Sequence, residues 1–221
     1  MNIELARFNM IEQQIRPWDV LNLGVLELLA VVKREDFVPA AYRALAFVDT
    51  EVPLPTSSGE QQCMLAPKVE ARLLQELDVH KHERVLEIGA GSGYMAALLA
   101  HKAQHVTTLE IDAELAQFAR ANLKRAGVAN ASVIEADGAN GLPGESPFDV
   151  IVLSGSVPEV PATLLSQLKV DGRLTAIVGQ QPVMRAVLIT RGGDHGLERT
   201  VLFDTVAQRL RGFKEPSRFH F

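Results

Sequence analysis

The chain has 221 residues, enough for one domain, or one domain with an extension, and for a large apolar core. Hydrophobic residues make up 47% and charged residues 22%, the balance of a globular protein rather than a disordered one, and a net charge of −5 gives no global pull toward nucleic acid or anionic membrane. The single cysteine, Cys63, excludes an internal disulfide and a cysteine-built zinc site.

No apolar run reaches the roughly 18 residues of a membrane span, and residues 1–7 carry early charge with no apolar signal core. The expected location is therefore the cytoplasm. From the N-terminus to about residue 79 the pattern is helical with no clear strand. Phe8, Ile11 and Ile15, then Val25, Leu26, Leu28, Leu29 and Val32, recur at helix-face spacings, and Pro17 and Pro39 mark breaks. Residues 52–59, with two prolines and Ser57-Ser58-Gly59, read as a loop. Pro67 then suits the first turn of a helix continuing over 69–77.

From residue 83 short apolar runs alternate with helical stretches. The expected strands are 84–88, 106–110, 132–135, 148–153 and 174–178, with helices over 95–101, 114–126 and 158–168. Two further strands, 185–190 and 200–203, flank Gly192-Gly193-Asp194-His195-Gly196 and form a hairpin. Such alternation predicts an α/β fold: a parallel sheet covered by helices on both faces, with an antiparallel addition at its end. The division expected is a helical extension and loop over 1–79 and a Rossmann-like domain over 80–221.

Three glycines, in Glu87-Ile88-Gly89-Ala90-Gly91-Ser92-Gly93-Tyr94, stand where the first strand turns into a helix. Glycine admits positive φ and close backbone approach, and a helix N-terminus offers N–H groups. The second strand ends in Glu110, 17 residues after Gly93, where a carboxylate can accept from both ribose hydroxyls of an adenosine group. Asp137-Gly138 ends the third strand and can receive an adenine edge. A dinucleotide fingerprint needs a small residue where Tyr94 stands, and Glu87 would repel a pyrophosphate. The fitting ligand is phosphate-free and cationic, which describes S-adenosylmethionine. The bland alternative is that the glycines serve only a tight turn.

These residues resemble the protein-L-isoaspartate O-methyltransferases. The likeness is carried by 85–94, Glu135-Ala136-Asp137-Gly138-Ala139-Asn140-Gly141, Phe148-Asp149-Val150-Ile151-Val152, Pro158-Glu159-Val160-Pro161 and 167–174. The N-terminal pieces Met10-Ile11-Glu12-Gln13, Arg34-Glu35-Asp36-Phe37-Val38-Pro39 and Val52-Pro53-Leu54-Pro55 match too. The resemblance implies a class I methyltransferase fold, a seven-stranded mostly parallel sheet with a C-terminal antiparallel hairpin and an N-terminal helical extension. It also implies S-adenosylmethionine as cofactor and repair of isoaspartyl residues in proteins or peptides. Glu87, Gly89, Ala90, Gly91 and Ser92 would hold the methionine end, Glu110 and Ile111 the ribose and one adenine face, and Asp137 and Gly138 the adenine edge. Ser154, after the fourth core strand, would face the methyl.

The chain departs from this family at the substrate loop. Anchored on Ala66-Pro67, the family's serine falls on Leu65, its threonine on Cys63 and its histidine on Lys68. Leucine cannot hydrogen-bond a carboxylate. Thr56, Ser57 or Ser58 could supply a hydroxyl instead, and Lys68 could pair with an anionic substrate. A methyltransferase with another, small acceptor and a non-catalytic S-adenosylmethionine-binding protein are the alternatives. No metal is expected, since His101 and His105 have no third ligand. The aromatic tail 213–221 has no assigned role.

Overall fold

The computed structural model describes residues 2–56, 61–193 and 196–215. Ser57, Ser58, Asp194, His195 and the tail residues 216–221 lie outside them. Helix α1 (Ile3–Met10) is capped by Asn2, whose side chain accepts from Leu5 N at 3.1 Å, and runs on into a wide π turn at Ile11–Ile15. The backbone turns at Arg16–Trp18, around Pro17, and α2 (Leu23–Val31) restarts on a second cap, Asn22. Two 3₁₀ stretches follow, Arg34–Asp36 and Ala40–Phe47, the latter directly after Pro39. The 52–59 stretch is not all loop. Val52–Pro53 (β1) pairs antiparallel with Cys63–Met64 (β2), a two-residue ladder too short to show a period in the sequence. Helix α3 (Pro67–Leu77) begins on its proline and buries Val69, Glu70, Leu73, Leu74 and Leu77.

The larger sheet comprises β3 (Arg84–Ile88), then α4 (Tyr94–Lys102), β4 (His105–Glu110), α5 (Ala113–Arg125), β5 (Ala131–Glu135), β6 (Phe148–Val157), α6 (Ala162–Leu165), β7 (Leu168–Gln180), β8 (Val183–Arg191) and β9 (Leu197–Thr205). Its order is β5-β4-β3-β6-β7-β8-β9, parallel through β7 and antiparallel over the last two pairings. The hairpin expected around Gly192-Gly193 is present. β3 and β6 are buried along most of their length because both faces of the sheet are covered.

Alternate residues serve two cores. Val85, Val106, Val150 and Val152 pack with the N-terminal helices, α3, α4 and α5, so residues 1–79 share a core with the sheet. Leu86, Ile88, Leu109, Ile151 and Leu153 face the other side. That side carries little helix. The helix expected over 158–168 shrinks to the four residues of α6, because Pro161 excludes the helical conformation at Val160 and Leu168 already belongs to β7. A C-terminal segment covers this face instead: Leu210 and Phe213 pack there, and a bridge between Ser156 and Arg209 ties it to β6.

A buried polar cluster joins the two regions. Arg34 is 1% exposed, and its guanidinium donates to the carbonyls of Leu45, Ala46, Thr50 and Leu65. Its Nε lies 3.9 Å from Glu70 Oε2. Burial pushes Glu70 up to about 8, with Arg34 opposing and Glu87 adding to the rise. The folded protein therefore holds a proton that the unfolded chain releases near 4.5, and stability falls as pH climbs through that window. Glu70→Gln should match the native protein below about pH 4.5, gain on it progressively between about 4.5 and 8, and hold that gain at higher pH in urea denaturation. An identical pH slope in both proteins would contradict this account.

Candidate active site

The chain leaves β3 for β4 on one side and returns to β6 on the other, so the topological switch point lies between the C-terminal tips of β3 and β6. Open α/β sheets bind ligands in that crevice. Here it is a cleft walled by Gly89, Gly91, Glu110, Ile111, Gly138 and Ser154. Gly89, Gly91 and Gly93 have φ of 92°, 51° and 81°, which is why each is glycine. The turn is held from within. Gly89 N and Ala90 N donate to Leu109 O, and Gly91 N donates to Glu110 Oε2 at 2.8 Å. Those three amides are committed within the turn and do not face the cleft as free donors.

Glu110 Oε1 also accepts from Asp112 N at 3.1 Å. Burial pushes its carboxyl up, and the two amide donors oppose the shift. Two of roughly four lone-pair sites on the carboxylate are used, which leaves room for a pair of vicinal hydroxyls. Ile88, Leu109, Leu115 and Ala136 add an apolar slot beside it, and Ile111 stands 40% exposed at the rim. Gly138 lacks a Cβ chiefly because one would meet Ile88 Cγ2 at 2.4 Å.

Glu87 lies beneath the cleft rather than in its wall. It is fully buried, and Ser154 Oγ donates to its Oε1 at 2.7 Å, while Oε2 has no partner among the described residues. Burial pushes its carboxyl up to about 7; the Ser154 hydroxyl lowers it and the nearby Glu110 charge raises it. The Thr108 hydroxyl also lowers it, and a cationic ligand above would favour the ionised form further. Ala90 and Ser92 are buried within the turn, and Ser92 O accepts from Asn122. Asp137 is exposed, and its Oδ1 caps Ala139 N at 2.9 Å beside Gly212. Thus Glu110 stands in the cleft wall, Glu87 lies buried behind Ser154, and Asp137 is exposed outside the wall.

The remaining candidates are placed elsewhere. Leu65 is core, 4% exposed. Lys68 is bound to Asp49 at 2.9 Å and lies over the Trp18 ring at 3.9 Å, so its charge is already matched. Thr56 Oγ1 donates to Asp112 Oδ2. Phe8 and Trp18 are exposed and do not line the cleft.

Several wall residues were not read as such from the sequence. Leu54, Gln62 and Cys63 come from the β1–β2 segment, whose only signal was its alignment with the substrate loop. Leu210 comes from the C-terminal segment, which carries no periodicity at all; its Cδ2 lies where side chains on Gly89 and Gly155 would have to go. Arg211 locks that segment by a 2.8 Å pair with Asp112, whose carboxyl is held low despite some desolvation. Burial pushes the Cys63 thiol up, so it stays protonated and is no nucleophile at neutral pH.

A seven-stranded, mostly parallel sheet with a crevice at the β3–β6 switch point is the arrangement of class I methyltransferases. Residues 7–206 match the family model for protein-L-isoaspartate(D-aspartate) O-methyltransferase, and the chain belongs to that family. A protein-L-isoaspartate O-methyltransferase of Koribacter versatilis is 39% identical over 200 residues, covering 90% of this chain and 88% of that protein. One from Rhodopseudomonas palustris is 40% identical over 196 residues, 88% of each. A solved protein-L-isoaspartate O-methyltransferase superposes with a TM-score of 0.77 at 26% identity, over 91% of this chain and 64% of that one. A putative Plasmodium falciparum enzyme in complex with S-adenosyl-L-homocysteine gives a TM-score of 0.77 at 22% identity, over 93% and 98% of the two chains, a likeness of fold.

Proposed function

We propose that the protein methylates the free carboxylate of isoaspartyl residues in proteins or peptides, using S-adenosylmethionine. The observation that carries this reading is one continuous cleft walled by the glycine turn, Glu110 and Ser154 on the cofactor side and by Gln62 and Cys63 on the loop side. Glu110 would hold the ribose, Ile111 and Gly138 the adenine, and Glu87 the cationic methionine end, with Ala90 and Ser92 fixing the turn and Asp137 the outer rim. When bound, the cofactor supplies an electrophilic methyl group.

The chain's own contribution is binding, orientation and dryness. An acceptor carboxylate has a pKa near 4 and is ionised at neutral pH, so no general base is required. Ser154 fits this: its proton is committed to Glu87, and it serves to orient that carboxylate. Leu54 and Leu210 exclude water, and effective alignment of two reactants in a dry site is itself a large rate factor. Residues 1–79 would present the acceptor and 80–221 the cofactor. The reading places the protein in the cytoplasm, as a repair enzyme; among the described residues no helix is long and apolar enough to cross a membrane.

The test is transfer of labelled methyl to an isoaspartyl peptide against its normal aspartyl twin. Base-labile label on the isoaspartyl peptide alone is expected. Equal labelling of both, or of neither, would reject the proposal.

A further inference from the structure

We infer that Gln62 is the residue that receives the acceptor's carboxylate, by donating a hydrogen bond from its side-chain amide. This rests on the isoaspartyl reading above. The starting point is an accounting failure in the loop: Gln62 lines the cleft, and its Nε2 is shielded from solvent yet has no hydrogen-bond partner among the described residues. An amide donor left so is costly, and a fold retains one where a ligand completes it.

The rest of the residue is fixed. Its carbonyl accepts from Leu54 N at 2.8 Å and from Gln61 Nε2 at 3.0 Å. Cys63, next along the chain, is locked into the β1–β2 ladder against Pro53. The backbone of Gln62 is therefore positioned by strand pairing, and only its amide is uncommitted.

The competing donors are spoken for. Leu65 has no hydroxyl, its side chain belongs to the core and its carbonyl is taken by Arg34. Ser154 donates to Glu87, Thr56 donates to Asp112, and Lys68 is paired with Asp49. The Cys63 thiol is a weak donor. Among the described residues of the cleft, an anion entering from the loop side thus meets one strong, neutral, unengaged donor. Neutrality matters chemically. An amide holds a carboxylate oxygen without the full charge pairing that would blunt the nucleophilicity of its twin oxygen.

The experiment compares the native protein with Gln62→Leu, which keeps the size and removes the donor, and Gln62→Glu, which opposes the anion. Each is assayed across isoaspartyl-peptide concentrations, alongside S-adenosylhomocysteine affinity by calorimetry and the thermal midpoint. Expected for Gln62→Leu is a KM for peptide raised roughly tenfold or more, unchanged S-adenosylhomocysteine affinity, and a thermal midpoint equal to or above the native one, since an unsatisfied donor has been removed. Gln62→Glu should be worse still in KM. An unchanged KM in Gln62→Leu overturns the assignment, as does a KM rise accompanied by equal loss of cofactor affinity or a lowered midpoint. If the native protein labels no isoaspartyl peptide, the reading beneath it fails too; if it does and Gln62→Leu matches it, only the role of Gln62 fails.

Discussion

Arg34→Ala is expected to destabilise the fold by about 3–5 kcal/mol, since each buried acceptor left unsatisfied costs about 1–3 kcal/mol and entering water recovers part of that. The cause is specific. A single guanidinium satisfies carbonyls at 45, 46, 50 and 65, which lie on both sides of the β1–β2 loop, and faces Glu70. Alanine would strand those acceptors and leave Glu70 without its cation. Arg34→Lys should recover only part of the loss, since a point ammonium cannot reach four carbonyls spread around a planar fork. The double change Arg34→Met with Glu70→Leu should be milder than Arg34→Ala alone, because it refills the space of the guanidinium and removes the buried Glu70 carboxyl. Urea denaturation of the three variants decides the matter. A loss under about 1 kcal/mol for Arg34→Ala would show that the guanidinium is replaceable by water.

This residue also shows how far the sequence could be read. The run Arg34-Glu35-Asp36-Phe37-Val38-Pro39 was visible as a motif, but three charges in a row suggest a solvated turn. Nothing local announces that Arg34 is among the most deeply buried side chains, or that Glu35 is also buried, in a pair with Arg7. By contrast the strand tips were legible. A parallel strand buried on both faces is rich in apolar residues, so β3, β4 and β6 mark themselves by short runs of them, and Gly89, Gly91 and Glu110 stand at the tips of β3 and β4. Glu87 was legible as an acid in the turn, but its depth was not: alternation along β3 puts it on the face opposite Leu86, under a roof that only the assembled sheet provides.

What failed to read was whatever depends on contacts distant in sequence. The helix over 158–168 looked helical by composition and lost to Pro161 and to the early start of β7. Leu210 and Arg211 close the cleft from the C-terminal side through contacts to Gly89 and Asp112, more than 90 residues away in the chain. The same holds for Gln62, whose significance is an unmade bond, and no sequence pattern encodes that.

Glu110→Ala should abolish useful cofactor binding while the protein remains folded. Its carboxylate anchors Gly91 N and Asp112 N, and so fixes both the glycine turn and the start of α5. It also offers the remaining lone pairs to the ligand's hydroxyls. Hydrogen bonds to a charged group contribute about 1.5–3 kcal/mol each, so losing two to the ligand should raise the S-adenosylhomocysteine dissociation constant roughly a hundredfold or more. The two orphaned amides add a smaller cost to the fold, which water entering from the cleft can partly meet. Glu110→Gln should be intermediate, because one acceptor oxygen survives and the charge does not. Ile111→Ala removes only packing on one adenine face and should cost less than either. Calorimetry with S-adenosylhomocysteine ranks the three. If Glu110→Ala binds within about threefold of the native protein, a difference of less than 1 kcal/mol, then Glu110 serves the turn alone and the ribose is held elsewhere in the cleft.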